Sequence, residues 1–288
     1  YPGAVHTRFQ HALGALHLTR KAIEVLQSKD VEITEEEAMS VQLAILLHDI
    51  GHGPYSHALE GHFIPVSHER LTLAYMEKLN EEFEGKLSLA IKIFKNQYSK
   101  TFLHQLISGQ LDMDRMDYLI RDSYYTGVAE GIIGYDRIIK MLNVYDNQLV
   151  VEEKGLYSVE KFLLSRKLMY WQVYLHKTAL SAEKMLVRLF EYYKSQPTAS
   201  KAHLSPAFEY FLSGPTKSES VNTISLEMLE WHASIDDADI DVWIKSLIHS
   251  KNPVLRILSR GLTNRKLFRV YLQKEPLTPA EIKEIEFK

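Results

Sequence analysis

Apolar residues recur at helical spacing along most of the chain. Phe9, Leu13, Leu16 and Ile23 mark one stripe over Arg8 to Leu26. Thr34-x-x-Glu37 is a capping box, and Val41, Ala44 and Ile45 carry the helix behind it to His48. Gly51-His52-Gly53-Pro54 breaks that run, and Pro54 opens a short helix from Tyr55 to Gly61. Further helices are predicted near 69–83, 86–96, 101–122, 134–142, 158–194 and 205–213, and helical spacing returns over 225–275. The stretch from Asn143 to Tyr157 differs. Its Val, Tyr and Leu residues, with Asp146-Asn147 and Lys154-Gly155 as turns, predict a small β-hairpin. The segments 195–205 and 213–220 read as loops. No internal repeat is visible. The predicted class is all-α with a small β-hairpin near 143–157.

Composition narrows this picture. The chain has 288 residues, 45% of them hydrophobic and 25% charged, an ordinary globular balance that excludes disordered and collagen-like classes. Lys+Arg 34 against Asp+Glu 37 leaves a net charge of −3, so no basic excess marks nucleic acid as the main partner. Aliphatic runs such as Leu43 to Leu47 are far shorter than a membrane span, and no membrane association is expected. Cys is 0, which removes disulfides, thiolate metal sites and a Cys nucleophile together. It fits a reducing compartment, and a cytoplasmic location is expected. The opening on Tyr1-Pro2-Gly3 without an initiator Met reads as part of a longer protein. So does the helix start at Thr278-Pro279-Ala280-Glu281, close to the last residue.

Any metal must then sit on His, Asp or Glu. Eight of the 13 histidines fall before residue 69: His6, His11, His17, His48, His52, His57, His62 and His68. The His48-Asp49 pair ends an apolar helix where a Gly-rich break follows. Alone, it reads first as a capped helix terminus with a hydrogen-bonded core histidine. His11 and Asp114 are further candidate ligands. Asp114, Asp117 and Arg121 share a helix face at i, i+3 and i+7, which also describes a solvated acidic face with ion pairs. Two His and two carboxylates form a nitrogen–oxygen set suited to one divalent transition metal: Mn, Fe, Zn, Co or Ni. His57 and Glu60, at i, i+3, could pair so that the carboxylate raises the basicity of the ring. His52 and His68 are candidates for a leaving-group proton or phosphate contacts; His6, His17 and His62 read as ordinary surface or core histidines.

Four stretches occur in order: Tyr1-Pro2-Gly3-Ala4-x-His6-x-Arg8-Phe9-x-His11, His48-Asp49-Ile50-Gly51-His52-Gly53-Pro54-Tyr55-Ser56-His57, Ser67-His68-Glu69, and Asp112-x-Asp114-Arg115-x-Asp117-Tyr118-x-x-Arg121-Asp122. Together they resemble the HD-domain phosphohydrolases, and within them the dGTPase-like deoxynucleoside-triphosphate triphosphohydrolases. The resemblance covers residues 1–180. It implies an HD-domain helical catalytic core there, with 181–288 as a helical extension and candidate oligomer interface. It also implies one metal on His11, His48, Asp49 and Asp114. Water would attack at the α-phosphorus of a dNTP, and Mg would accompany the substrate triphosphate. Arg8, Arg115, Tyr118 and Arg166 match phosphate-contacting positions. Tyr174 matches a sugar-facing tyrosine, though core packing explains it equally, and Asp122 would meet the 3′-hydroxyl. His57 with Glu60 matches a pair at the reacting phosphorus.

The resemblance further implies a homo-oligomer, dimer or tetramer, and raises a regulatory nucleotide and single-stranded nucleic acid as partners. Family sequence that carries regulatory contacts precedes the first motif and is absent here, so allosteric activation is not inferred. The alternatives are another HD phosphohydrolase, acting on nucleoside monophosphates or cyclic nucleotides, and a nucleotide sensor without turnover.

Overall fold

The computed structural model describes residues 1–64, 66–196, 204–213, 224–270 and 275–287. The elements run α1 (Arg8–Gln27), α2 (Glu35–Leu47), α3 (Ser56–Leu59), α4 (His68–Glu82), α5 (Ser88–Phe94), α6 (Thr101–Ile107), α7 (Met113–Thr126) and α8 (Tyr135–Lys140). The hairpin β1 (Leu142–Tyr145) and β2 (Gln148–Val151) follows, then α9 (Leu156–Met169) and α10 (Lys177–Lys194). The chain continues through α11 (Pro206–Ser213), α12 (Leu226–Ala233), α13 (Asp237–Ser246), α14 (Pro253–Thr263) and α15 (Pro279–Phe287). The all-α class with one antiparallel hairpin is therefore as expected. Among the described residues, no helix is long and apolar enough to cross a membrane.

Local chemistry sets the element ends. Thr7 and Gln10 form a capping box on α1, and Thr34 and Glu37 form the expected one on α2. Asp146 and Asn147 both take positive φ, 47° and 60°, giving the tight two-residue turn that suits strand twist. Two long predicted helices are interrupted. The run 101–122 breaks because Asp112, fully buried, starts a new helix by accepting from the Arg115 N–H at 2.7 Å. The run 158–194 breaks at a π-helical turn, Tyr170–Tyr174, followed by His176 capping α10. The 225–275 stretch divides at the N-caps Ser225, Asp236 and Asn252, and is not helical over 264–270. Of the expected loops, 197–203 and 214–220 lie outside the described residues, as do 271–274.

Among the described residues, two apolar cores result. The first packs α1, α2 and α5 to α9 around Leu26, Ile45, Ile93, Leu103, Met116 and Phe162. The second gathers Phe190, Phe208, Phe211, Trp243 and Leu255 from the later helices. It also recruits Leu59, Phe63, Ile64, Val66 and Leu71 from the segment behind His48. The loop from His48 to Glu60 therefore passes from one core to the other.

Candidate active site

Three helices of the first core converge on one cluster. α1 presents His11, the C-terminal end of α2 presents His48 and Asp49, and the first turn of α7 presents Asp114. Ligand atoms of His11, His48 and Asp49 lie within 4.8 Å of one another. Asp114 Oδ1 lies 3.1 Å from His11 Nε2 and 3.6 Å from His48 Nε2. Each imidazole is oriented through its other nitrogen. His48 Nδ1 is 2.6 Å from the Ile45 carbonyl, and His11 Nδ1 is 2.7 Å from Asp117 Oδ2. Asp117 is itself held by Arg121, Nε and Nη2 each at 2.8 Å. Both Nε2 atoms thereby face the carboxylates, the arrangement that presents a lone pair to a metal.

The cluster fits a divalent cation. His48 Nε2 is buried and has no hydrogen-bond partner, an expensive state for a polar atom unless it ligates. Burial opposes protonation of His11, yet hydrogen bonds and charge from Asp114 and Asp117 lift it to about 9. His48 is also raised against its burial, by Asp114 and Asp49. Burial pushes the Asp49 and Asp114 carboxyls up, but the imidazoles, with Arg8 beside Asp49, more than offset it and hold Asp49 below and Asp114 well below the usual range. A cation meets the same electrostatic demand through the lone pairs.

A cleft of about 760 Å³ opens over this cluster. Arg8 lines it, donating from Nη1 to Asp49 Oδ2 at 2.8 Å and from Nη2 to Ser56 Oγ at 2.6 Å. His52, His57 and His68 line it as well. The His52 ring stacks on His68 at 3.9 Å and meets the edge of His57 at 5.6 Å. Burial and the Arg8 charge push His52 down to about 3 and lower His57. The expected His57–Glu60 pair is not formed. α3 ends at Leu59, and Glu60 leaves the helix with ψ 132°, so its carboxylate accepts instead from the His68 N–H at 3.0 Å and pairs with His68 Nδ1 at 2.7 Å.

At the other end, Tyr174 donates to Asp122 Oδ2 at 2.6 Å, and His6 Nε2 meets Asp122 Oδ1 at 2.8 Å. The π-turn brings Tyr170 and Tyr174 both to the cleft, beside Tyr118. Burial and Asp122 raise the Tyr174 phenol well above its ordinary range. Two expected phosphate contacts stand elsewhere. Arg115 donates to Asp112 and to the Gly109 carbonyl, and is not among the residues lining the cleft. The Arg166 guanidinium sits 5.9 Å from the Tyr170 ring centre, outside the lining. Sequence reasoning missed His6 and Glu183 as cleft residues, Ser56 as the partner of Arg8, and Asp117 as the partner of His11. Only Asp117 left a signal, through its place on the face shared with Asp114.

Comparison with known proteins agrees with this geometry. The HD domain matches residues 8–122, and the HD-associated region matches residues 133–211. A phosphohydrolase of Bacteroides thetaiotaomicron VPI-5482, known from its crystal structure, is similar with a TM-score of 0.93 and 51% identity, over 100% of this chain and 72% of that one. The uncharacterized protein YwfO of Bacillus subtilis (strain 168) is 31% identical over 283 residues, 96% of this chain and 63% of its own length. The deoxynucleoside triphosphate triphosphohydrolase SAMHD1 homolog of Dictyostelium discoideum is 29% identical over 210 residues, 66% of this chain and 41% of its own length. The chain thus spans less than two thirds of these curated relatives. With an HD domain, its associated region and the cluster of His11, His48 and Asp49 in one fold, the chain belongs to the HD phosphohydrolase family.

Proposed function

We propose that the chain hydrolyses deoxynucleoside triphosphates at the α-phosphorus. Water adds to phosphorus, the bond to the 5′-oxygen breaks, and deoxynucleoside and inorganic triphosphate leave. One observation carries this reading: a single cleft joins the His/Asp cluster to the Tyr174–Asp122–His6 group, a span suited to a phosphate at one end and a sugar at the other. The name of the Dictyostelium relative supports the substrate class.

His11, His48, Asp49 and Asp114 would hold one divalent metal, Mn, Fe, Zn, Co or Ni. When bound, it supplies Lewis-acid polarisation of the phosphate and of water. Arg8 contributes a planar cation beside the cluster, suited to two phosphate oxygens. His57 is held toward its neutral form, which suits accepting a proton. His68, oriented by Glu60, is assigned the proton for the 5′-oxygen, with His52 stacked against it. Tyr118 is assigned to the phosphate tail, any Mg accompanying it would screen its charge, and Arg166 would have to leave the Tyr170 ring to reach it. Arg115 would have to leave Asp112 and Gly109 to join them. The Tyr174 ring at C2′ would exclude a 2′-hydroxyl, with Asp122 accepting from the 3′-hydroxyl. The segment 181–288 is proposed as the helical extension through which the chain forms a dimer or tetramer. A regulatory nucleotide is not part of the proposal; the nucleotide mixtures below test for one.

A second reading, hydrolysis of nucleoside monophosphates or cyclic nucleotides, is favoured by one observation. Among the described residues, Arg8 and Arg121 are the cleft's only Lys or Arg, and both Asp117 oxygens hold Arg121. Product analysis decides. The protein is incubated with each dNTP and NTP, alone and mixed, and separately with nucleoside monophosphates and cyclic nucleotides, with Mn²⁺, Mg²⁺, Fe²⁺ or Co²⁺, beside a His48→Ala/Asp49→Ala control. Triphosphate release, lost in the control, supports the leading reading. Hydrolysis of monophosphates or cyclic nucleotides without triphosphate release supports the second, and binding without turnover supports a sensor.

A further inference from the structure

We propose that Tyr55 is a positioning residue for Arg8: two aspartates of α13 fix Tyr55, and the turn so fixed places Ser56 to aim the guanidinium. This rests on the reading of Arg8 as the phosphate contact.

Tyr55 stands at φ 46° and ψ 39°, a left-handed conformation that side chains other than Gly adopt rarely. Such a conformation persists where its surroundings determine it from several sides. Here they do. The Tyr55 N–H donates to Asp237 Oδ1 at 2.8 Å, and its phenol donates to Asp241 Oδ1 at 2.8 Å. Asp237 and Asp241 are four residues apart on α13 and so share a face. That helix is anchored by Ile240, Trp243 and Ile244, all buried in the second core. Burial and Asp241 raise the phenol above its ordinary range, which keeps it a donor.

The next residue makes the connection. Ser56 is buried, and its Oγ accepts from Arg8 Nη2 at 2.6 Å, while Arg8 Nη1 donates to Asp49. A continuous path therefore runs from Asp241 through Tyr55 and Ser56 to Arg8 and Asp49. It joins α13, in the second core, to the first residue of α1, in the first. Tyr55 itself is 39% exposed, so the ring is not what fills the core. Its two ends are both engaged, and both bonds go to the same helix. Such an arrangement fixes direction more than it adds packing.

Anion affinity tests this without requiring turnover. Inorganic tripolyphosphate is titrated calorimetrically into the Mn²⁺-loaded full chain. Tyr55→Phe and Asp241→Ala are expected to weaken binding by about threefold to tenfold, the range of one net hydrogen bond. In the Arg8→Ala background, Tyr55→Phe should have no further effect, because the residue it acts through is gone. Thermal midpoints of parent and Tyr55→Phe should agree. Unchanged affinity in both single variants, or an undiminished Tyr55→Phe effect in the Arg8→Ala background, overturns the assignment. The product assay fails or succeeds separately. Absence of triphosphate release removes the triphosphohydrolase reading while leaving the Tyr55–Arg8 coupling to stand on the calorimetry.

Discussion

Asp117 is not assigned as a metal ligand, yet it decides what His11 presents to the cluster. Its Oδ2 takes His11 Nδ1 at 2.7 Å and fixes the ring with Nε2 toward Asp114. Asp117→Asn should therefore lower metal affinity about 10- to 100-fold with the helical far-UV signal unchanged, as measured by metal titration and circular dichroism. The same pair has a pH signature. His11 stands at about 9 in the metal-free fold against 6.5 ordinarily. A raised value means the proton favours the folded chain. That stabilisation is complete below about pH 6.5 and lost as pH rises through about 9. The thermal midpoint of chelator-treated protein should fall across that window, and Asp117→Asn should flatten the fall. Metal affinity should run the other way, tightening with pH as the proton is displaced. Metal chemistry narrowed the candidate ligands only to His, Asp and Glu; the set of four was legible through the ordered motifs of the family resemblance. The partner of Glu60 was not: i, i+3 spacing predicts a pair only while the helix continues, and α3 stops at Leu59. Arg115 shows the same limit, since a guanidinium reaches several partners and Asp112 lies three residues away.

Helix α1 carries a glycine where helix propensity alone favours alanine. A Cβ at Gly14 would come within 1.9 Å of Asp117 Oδ1 and 2.2 Å of Arg121 Nη2. Alanine there gains about 1 kcal/mol of intrinsic propensity. Gly14→Ala should nevertheless weaken metal binding at least about tenfold, because Asp117 must move away from His11. Preserved affinity in a titration would show that the pair can shift freely. Gly51 meets a similar constraint from backbone, the His68 carbonyl at 2.2 Å and the Thr72 N–H at 2.4 Å, which brings α4 close behind the His48 turn. Helix existence was legible from apolar spacing almost throughout. The breaks were less so. Asp112 looked like one more acid in an acidic run, and nothing in the spacing of Tyr170 and Tyr174 announces a π-turn. Both tyrosines line one cleft, as i, i+4 spacing already allows, and the turn ends the run so that α10 can start anew at His176.

Across the whole molecule, the second core reaches the site through the loop from His48 to Glu60. Trp243 is its largest fully buried side chain, against Phe190, Tyr193 and Phe208. Trp243→Ala should cost about 3–5 kcal/mol of folding stability by denaturant unfolding. Trp243→Phe should cost clearly less, since the buried Nε1 has no hydrogen-bond partner to lose. A chain this long, with 45% hydrophobic residues, was bound to hold a large core. That it holds two, sharing one loop, could not be read locally, because Phe63 and Leu59 resemble any other apolar residues beside a turn. The candidate ligands stretch from residue 11 to residue 114 and exist as a group only when α1, α2 and α7 are assembled. A cation that seizes all of them acts as a reversible cross-link, and its grip is released by unfolding. Occupancy at a hundred times the dissociation constant is worth about 2.7 kcal/mol, enough to move a melting curve. The molecule is therefore its own detector: heating it beside a panel of metals and phosphate esters would rank what it holds before any product is known.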